Sequence, residues 1–428
     1  MDYSVSKQSA RPSDSRASVE GGDSCAARTR GTAPLYIHKL LPIAILYFFF
    51  NSIGLPNGLL YTAILSPLFF LWLYLDGKRW LTTKFVVVLM PFIVMQLGHG
   101  VDSLFEYVKS IALLWTVYIT VYTLCWALMR FKKVECLFDQ LIVLNFWIAM
   151  IALVVLFTPA KSVFWNTDFR VLGEGGGWAP RLALLTSEPS AYGELMVPLL
   201  IFAVIRLFMR PSRYTMIHAV MIVAPIILVQ SFGAISICAT ALGVALFFRF
   251  RHLIKQKYSL LVLGSSLALC IGLVLVPNPI SRRLFHIAAG EDSSTQVRTV
   301  GAYIEAYTIV VSKSILWGVG PGQAKLFEAT AFIKSLGFQF VVIPNATADT
   351  FAHMGLVGVL AKFILEVYFF FRMRVFKSVF RLAMFIAAFL YQFAGGNLMD
   401  VQGYLMWCFA FAPVFPELDT NEIKTVAV

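Results

Sequence analysis

The sequence predicts an all-α polytopic membrane protein with about twelve transmembrane helices, on three observations. Of its 428 residues, 59% are hydrophobic and only 14% charged, and a mean hydropathy of +0.77 lies well outside the soluble globular range. Apolar runs of about 17 to 25 residues, the length a bilayer requires, recur along the chain. Lysine and arginine gather in alternate connections between those runs, which marks those connections as cytoplasmic. A net charge of +12 would suggest nucleic acid in a soluble chain; distributed in this way it sets topology, and no nucleic-acid partner is expected.

Residues 1–36 are mostly polar, rich in Ser, Arg and Gly and without the apolar region of a signal peptide, so a disordered cytoplasmic tail is expected. The apolar runs follow near 37–56, 58–75, 84–99, 108–129, 138–158, 181–208, 214–231, 233–249, 258–277, 347–371, 379–395 and 398–416. The first has to act as its own insertion signal. Positive clusters fall at Lys78, Arg79 and Lys84, at Arg130, Lys132 and Lys133, at Arg206, Arg210 and Arg213, at Arg249, Arg251, Lys255 and Lys257, and at Arg372, Arg374, Lys377 and Arg381. With those loops inside, residues 37–416 form one transmembrane domain, and both termini, including the tail at 417–428, are cytoplasmic. The six cysteines, at 25, 125, 136, 238, 270 and 408, lie in the tail, in spans or beside cytoplasmic loops, which predicts apolar fillers and no disulfide framework. Their spacing suits no metal, and no metal or other cofactor is expected.

Two outer loops are long, about 159–180 and 278–346, and long loops carry function. The first ends in "GEGGGWAPR", where glycines let backbone approach a ligand closely, and it delivers Arg170 and Arg181 to the outer surface. The second holds Arg282, Arg283 and Arg298 along with Lys313, Lys325 and Lys334, and after Ser294 its apolar residues recur with the spacing of an amphipathic helix at the membrane interface. Arginine binds phosphate bidentately and stays charged, so arginines converging on an outer membrane surface suit a lipid-linked diphosphate. Anionic lipid or loop carboxylates would suit them equally.

The run "RLALLTSEPSAYGELMVPLL" at 181–200 is apolar enough for a membrane yet carries ionisable groups, which usually mark function there. If it is helical, Arg181 and Glu188 share a face, with Pro189 favouring a bend just after the glutamate. Such a carboxylate can take a proton from a sugar hydroxyl, or it can form a structural pair with the arginine. Glu194 is a second, deeper carboxylate. In "NATADTFAHMGLVGVLAKFILE", Asp349 and His353 lie four apart on one face, offering His353 as a base or a diphosphate contact, while Lys362 and Glu366 neutralise each other. "GVGPGQ" lacks the last glycine of a dinucleotide fingerprint and reads as a turn, and "NAT" at 345–347 reads as a chance glycosylation match.

Three stretches together resemble the bacterial O-antigen polymerase and ligase superfamily, and within it the Wzy-type exopolysaccharide polymerases such as the xanthan polymerase. They are "RLALLTSEPSAYGELMVPLL", "STQVRTVGAYIEAYTIVVSKSILWGVGPG" and "ADTFAHMGLVGVLAKF", and they cover about 180–370. The resemblance implies a GT-C-like membrane glycosyltransferase in the bacterial inner membrane that polymerises undecaprenyl-diphosphate-linked oligosaccharide repeat units at the periplasmic face. It implies Arg181 and Glu188 as the exopolysaccharide motif, Arg298 as the loop arginine and His353 as the histidine of the following span. Glu188 and His353 are thus the candidate catalytic residues, and Arg181, Arg298, Arg170, Arg282 and Arg283 the candidate diphosphate ligands. Besides the lipid-linked substrate and membrane lipid, a chain-length-regulating co-polymerase and a flippase are implied partners. A ligase moving finished glycan onto another acceptor, or a lipid-linked oligosaccharide flippase, are the alternatives. The spacing of an arginine and then a glycine found in O-antigen polymerases is not met, since Arg170 reaches Arg181 and Arg298 reaches Ile309.

Overall fold

Every predicted apolar run that falls among the described residues carries a helix. The computed structural model describes residues 54–415 except 56–58, 61, 79, 131–133, 167–179, 185, 187, 251–288, 290–292, 336–340 and 342. The run near 37–56, apart from Gly54–Leu55, the run near 258–277 and both tails lie outside them. A short antiparallel hairpin, β1 (Gly54–Leu55) with β2 (Leu59–Leu60), precedes α1 (Thr62–Leu75), α2 (Leu81–Gly98), α3 (Leu104–Arg130) and α4 (Val134–Val155). A second hairpin pairs β3 (Trp165–Asn166) with β4 (Arg181–Leu182), and then come α5 (Pro189–Met209), α6 (Arg213–Val229) and α7 (Phe232–Phe250). The helical turn α8 (Ser293–Gln296) runs through a π turn into α9 (Ala302–Val311); α10 (Ala331–Ser335), α11 (Ala346–Arg372), α12 (Val379–Tyr391) and α13 (Val401–Phe411) complete the order. Among the described residues α2, α3, α4, α5 and α11 are long and apolar enough to cross a membrane, and α1, α6, α7, α12 and α13 are apolar but shorter.

Lipid tails are as apolar as leucine, so close packing rather than water exclusion has to hold such helices together. The main core does this with aromatic rings. Phe138 of α4 meets Phe202 of α5 at 5.2 Å, Phe409 of α13 at 5.3 Å and Phe415 at 5.0 Å, while Phe380 of α12 lies 4.7 Å from Phe415. Fully buried Ala383 and Ala387 let α12 approach its neighbours. At the far end of α5, buried Arg206 pairs with Asp139 and, at 3.2 Å, with Glu135, fastening α5 to α4; Tyr214 of α6 donates to Asp139 at 3.4 Å. The sequence reading of Cys125 and Cys408 as separate fillers is corrected: they form a disulfide between α3 and α13, with Cα atoms 6.0 Å apart.

Two elements depart from the expected runs, and both departures shape the site. The run predicted at 181–208 becomes a helix only at Pro189. Proline at the first helical position needs no hydrogen bond and presets its own φ, and it forces the preceding residue out of the helical region. Glu188 is accordingly extended (φ −153°, ψ 156°) and occupies the N-cap. Arg181 and Glu188 therefore do not share a helix face.

The run predicted as one span at 347–371 is broken at Gly355 (φ 66°, ψ −167°). The turn "GVGPGQ" docks into the break and replaces the lost helical hydrogen bonds. Val319 and Gly320 donate to the carbonyls of Ala352 and His353 at 3.0 Å, and Leu356 and Val357 donate to Ile315 at 2.9 Å and Leu316 at 3.1 Å. Buried Gln96 of α2 seals the joint, donating to the carbonyls of Trp317 at 2.8 Å and His353 at 2.9 Å while accepting from Tyr107 at 2.8 Å. Gln392 fixes the direction of the break: its carbonyl accepts from the Thr347 amide at 3.0 Å and its side chain donates to Glu366 at 3.2 Å. On a straight helix Thr347 and Glu366 would lie roughly 28 Å apart, beyond the reach of one glutamine. The first half of α11 folds back along the second, and its N-terminus returns to the α12–α13 connection.

Candidate functional site

The fold-back brings the starts of α5, α11 and α13 together with the π turn Val297–Gly301. π turns widen a helix and recur at functional sites. Here the turn presents Arg298, whose Nη2 lies 3.4 Å from Glu188 Oε1 and 3.3 Å from Ser190 Oγ. Asn345 holds the arrangement from below. Fully buried, it caps α11 by accepting from the Thr347 and Ala348 amides at 3.1 and 3.0 Å, and its Nδ2 donates to the carbonyls of Arg298 at 2.9 Å and Phe393 at 2.7 Å. Partial burial pushes the neighbouring Tyr303 hydroxyl above the usual tyrosine range.

The Arg298 and Glu188 side chains are 25% and 50% exposed. An ion pair that wet contributes about 0 to 1 kcal/mol, so stability alone gives little reason for placing it there. The start of α5 carries no side-chain cap, and its positive dipole end lies beside the guanidinium; together they favour an anion. Glu188 adds an accessible base at the same spot, and Ser190 a hydroxyl.

The other candidates take different places. Arg181 donates to the carbonyls of Val229 and Gln230, each at 3.3 Å, at the C-terminus of α6, where a cation complements the helix dipole. His353 pairs with Asp349, Nδ1 to Oδ1 at 3.0 Å, and Asp349 also accepts from the Leu398 amide at 2.7 Å. It sits eight residues beyond Asn345, roughly 12 Å along the half-helix, at the end opposite Arg298. Arg170, Arg282 and Arg283 lie outside the described residues. The loop lysines form ion pairs: Lys313 with Asp102 at 2.7 Å, Lys325 with Glu106, and Lys334 with Glu328 at 3.3 Å.

Sequence reasoning missed Asn345, which stands directly before an apolar helical run, the ordinary signature of an N-cap; read as a glycosylation match, "NAT" hid it. Compared with known proteins, the chain matches no family model and no curated protein sequence.

Proposed function

We propose that the protein polymerises undecaprenyl-diphosphate-linked oligosaccharide repeat units into exopolysaccharide at the periplasmic face of a bacterial inner membrane, with twelve spans, a GT-C-like architecture and both termini in the cytoplasm. The observation that carries this reading is the Arg298–Glu188–Ser190 cluster at the uncapped start of α5. In the transfer, the bond between the anomeric carbon and the lipid diphosphate breaks and a bond to the acceptor hydroxyl forms. The diphosphate leaves with the electron pair and needs positive charge rather than a proton, which Arg298 and the α5 dipole supply. The acceptor proton goes to Glu188, which is exposed enough to meet a hydroxyl.

The decisive experiment incubates purified protein with a defined undecaprenyl-diphosphate oligosaccharide and compares wild type with Glu188→Gln. A ladder from wild type and none from the folded variant is the expected result. A ladder from both removes Glu188 as the base, and no ladder from folded wild type overturns the polymerase. The discontinuous α11 favours a second reading, a lipid-linked oligosaccharide transporter, because broken helices are a device of carriers; movement of labelled lipid across proteoliposomes without chain growth would establish it.

Arg181 provides an internal contrast. Its contacts at the end of α6 predict that Arg181→Ala loses about 1 kcal/mol of stability and retains chain growth per folded molecule. Thermal unfolding alongside the ladder assay checks this, and lost activity with an unchanged melting curve would return Arg181 to the substrate.

A further inference from the structure

Arg298 and Glu188 are held together loosely for a guanidinium and a carboxylate. The strong form of that pair uses the planar fork, with two parallel hydrogen bonds to the two carboxylate oxygens. Here one nitrogen serves two partners: Nη2 lies 3.4 Å from Glu188 Oε1 and 3.3 Å from Ser190 Oγ, and among the described residues the side chain makes no other hydrogen bond. The members of the cluster also differ in freedom. The backbone of Arg298 is held by Asn345, which donates to its carbonyl at 2.9 Å. Ser190 is the second residue of α5 and is fixed in its first turn. The backbone of Glu188 is tied as well, its carbonyl accepting from the Tyr192 amide at 3.3 Å and the Thr186 hydroxyl at 2.9 Å. Its side chain is half exposed and has the Arg298 contact alone. The carboxylate is therefore the one part of the cluster that can swing away while the rest stays in place.

We propose that Glu188 is a built-in competitor: in the unliganded protein its carboxylate takes the place of the substrate's diphosphate on Arg298, and the arriving lipid-linked diphosphate displaces it. The inference rests on the polymerase reading of the site and adds its regulation. Carboxylate and phosphate are alternative ligands for the same guanidinium fork. The diphosphate presents several oxygens and can engage the fork bidentately, whereas the wet, single-point contact with Glu188 is weak, so the exchange favours the diphosphate. Like charge then drives the Glu188 side chain away from the bound anion, while Ser190 keeps its hold on Nη2. The base is released from the arginine only when the donor is seated, so the donor binds before the acceptor hydroxyl gives up its proton. A pair that served only to orient Arg298 makes the opposite prediction, because removing the carboxylate would then weaken diphosphate binding.

The test is calorimetric titration of the purified full-length protein in detergent with inorganic pyrophosphate and with farnesyl diphosphate. Wild type is compared with Glu188→Gln, Glu188→Ala and Arg298→Ala. Glu328→Gln controls for bulk charge, since that carboxylate lies in the same outer loop as Arg298 and is 92% exposed. Both Glu188 variants should bind the two ligands about two- to fivefold more tightly than wild type, the size of one wet ion pair expressed as affinity. Arg298→Ala should bind them at least about tenfold more weakly, as loss of a charge-assisted hydrogen bond requires, and Glu328→Gln should match wild type. Glu188→Gln would then bind the diphosphate better while building no chains. If binding is lost in Arg298→Ala but unchanged or weaker in the Glu188 variants, the exchange is overturned and the diphosphate site stands. An equal gain in Glu328→Gln overturns the exchange as well, by making the effect one of net charge. Binding that is indifferent to every substitution places the diphosphate elsewhere, and the exchange falls together with the reading on which it rests.

Discussion

Replacing Arg298 with alanine is expected to lower chain growth by roughly 10²- to 10³-fold, the loss typical of removing one preorganised donor from a site of developing negative charge. Arg298→Lys should fall between wild type and alanine, because lysine keeps the charge but not the planar fork that engages two phosphate oxygens at once. The melting temperature should move little. The pair with Glu188 is wet, and the backbone carbonyl by which Asn345 holds residue 298 survives the substitution. Rates from the ladder assay and unfolding curves on the same preparations check both halves. A large drop in melting temperature would mean that Arg298 serves the fold instead of the substrate. Activity within about threefold of wild type would remove Arg298 from the diphosphate, since the expected loss is at least about 10².

What could be read from the sequence divides according to the range of the interactions involved. The runs over α2 to α6 and over α12 are visible because a membrane helix satisfies its own backbone, so hydropathy along a single segment suffices. Glu188 and Arg298 were legible for a related reason: charge in an apolar run, and charge against the topological rule, stand out residue by residue. Their contact was not legible, since it depends on a π turn and on an asparagine from a third element. The Cys125–Cys408 disulfide was hidden for the same reason, its members being brought together only by packing. Pro189 shows a local signal given too little weight. Read strictly, it starts the helix and leaves Arg181 on a strand, whereas hydropathy alone carries the run back to 181. "GVGPGQ" was rightly a turn, but its partner, the interior of a helix following it, could not be seen from the turn itself.

That partnership gives the largest expected effect on folding. Gly355→Ala should lose roughly 2 to 6 kcal/mol, combining about 1 to 3 for a backbone region essentially reserved to glycine with about 1 to 3 for overpacking. A Cβ at Gly355 would lie 2.3 Å from the Leu316 carbonyl oxygen and 2.5 Å from the Gly318 amide nitrogen, and both are backbone atoms tied into the joint by hydrogen bonds. Gly318→Ala should fail in the same way, since its Cβ would lie 2.5 Å from the His353 carbonyl carbon. Gly243→Ala is the matched control: it lies inside α7 with nothing within 4 Å of the added carbon, and alanine should stabilise that helix by up to about 1 kcal/mol. Size-exclusion profiles and unfolding curves of the three variants in detergent make the comparison. If Gly355→Ala melts with the control, α11 can run through residue 355 as a continuous helix. Asn345 would then be carried away from Arg298, and the site would have to be assembled by some other means.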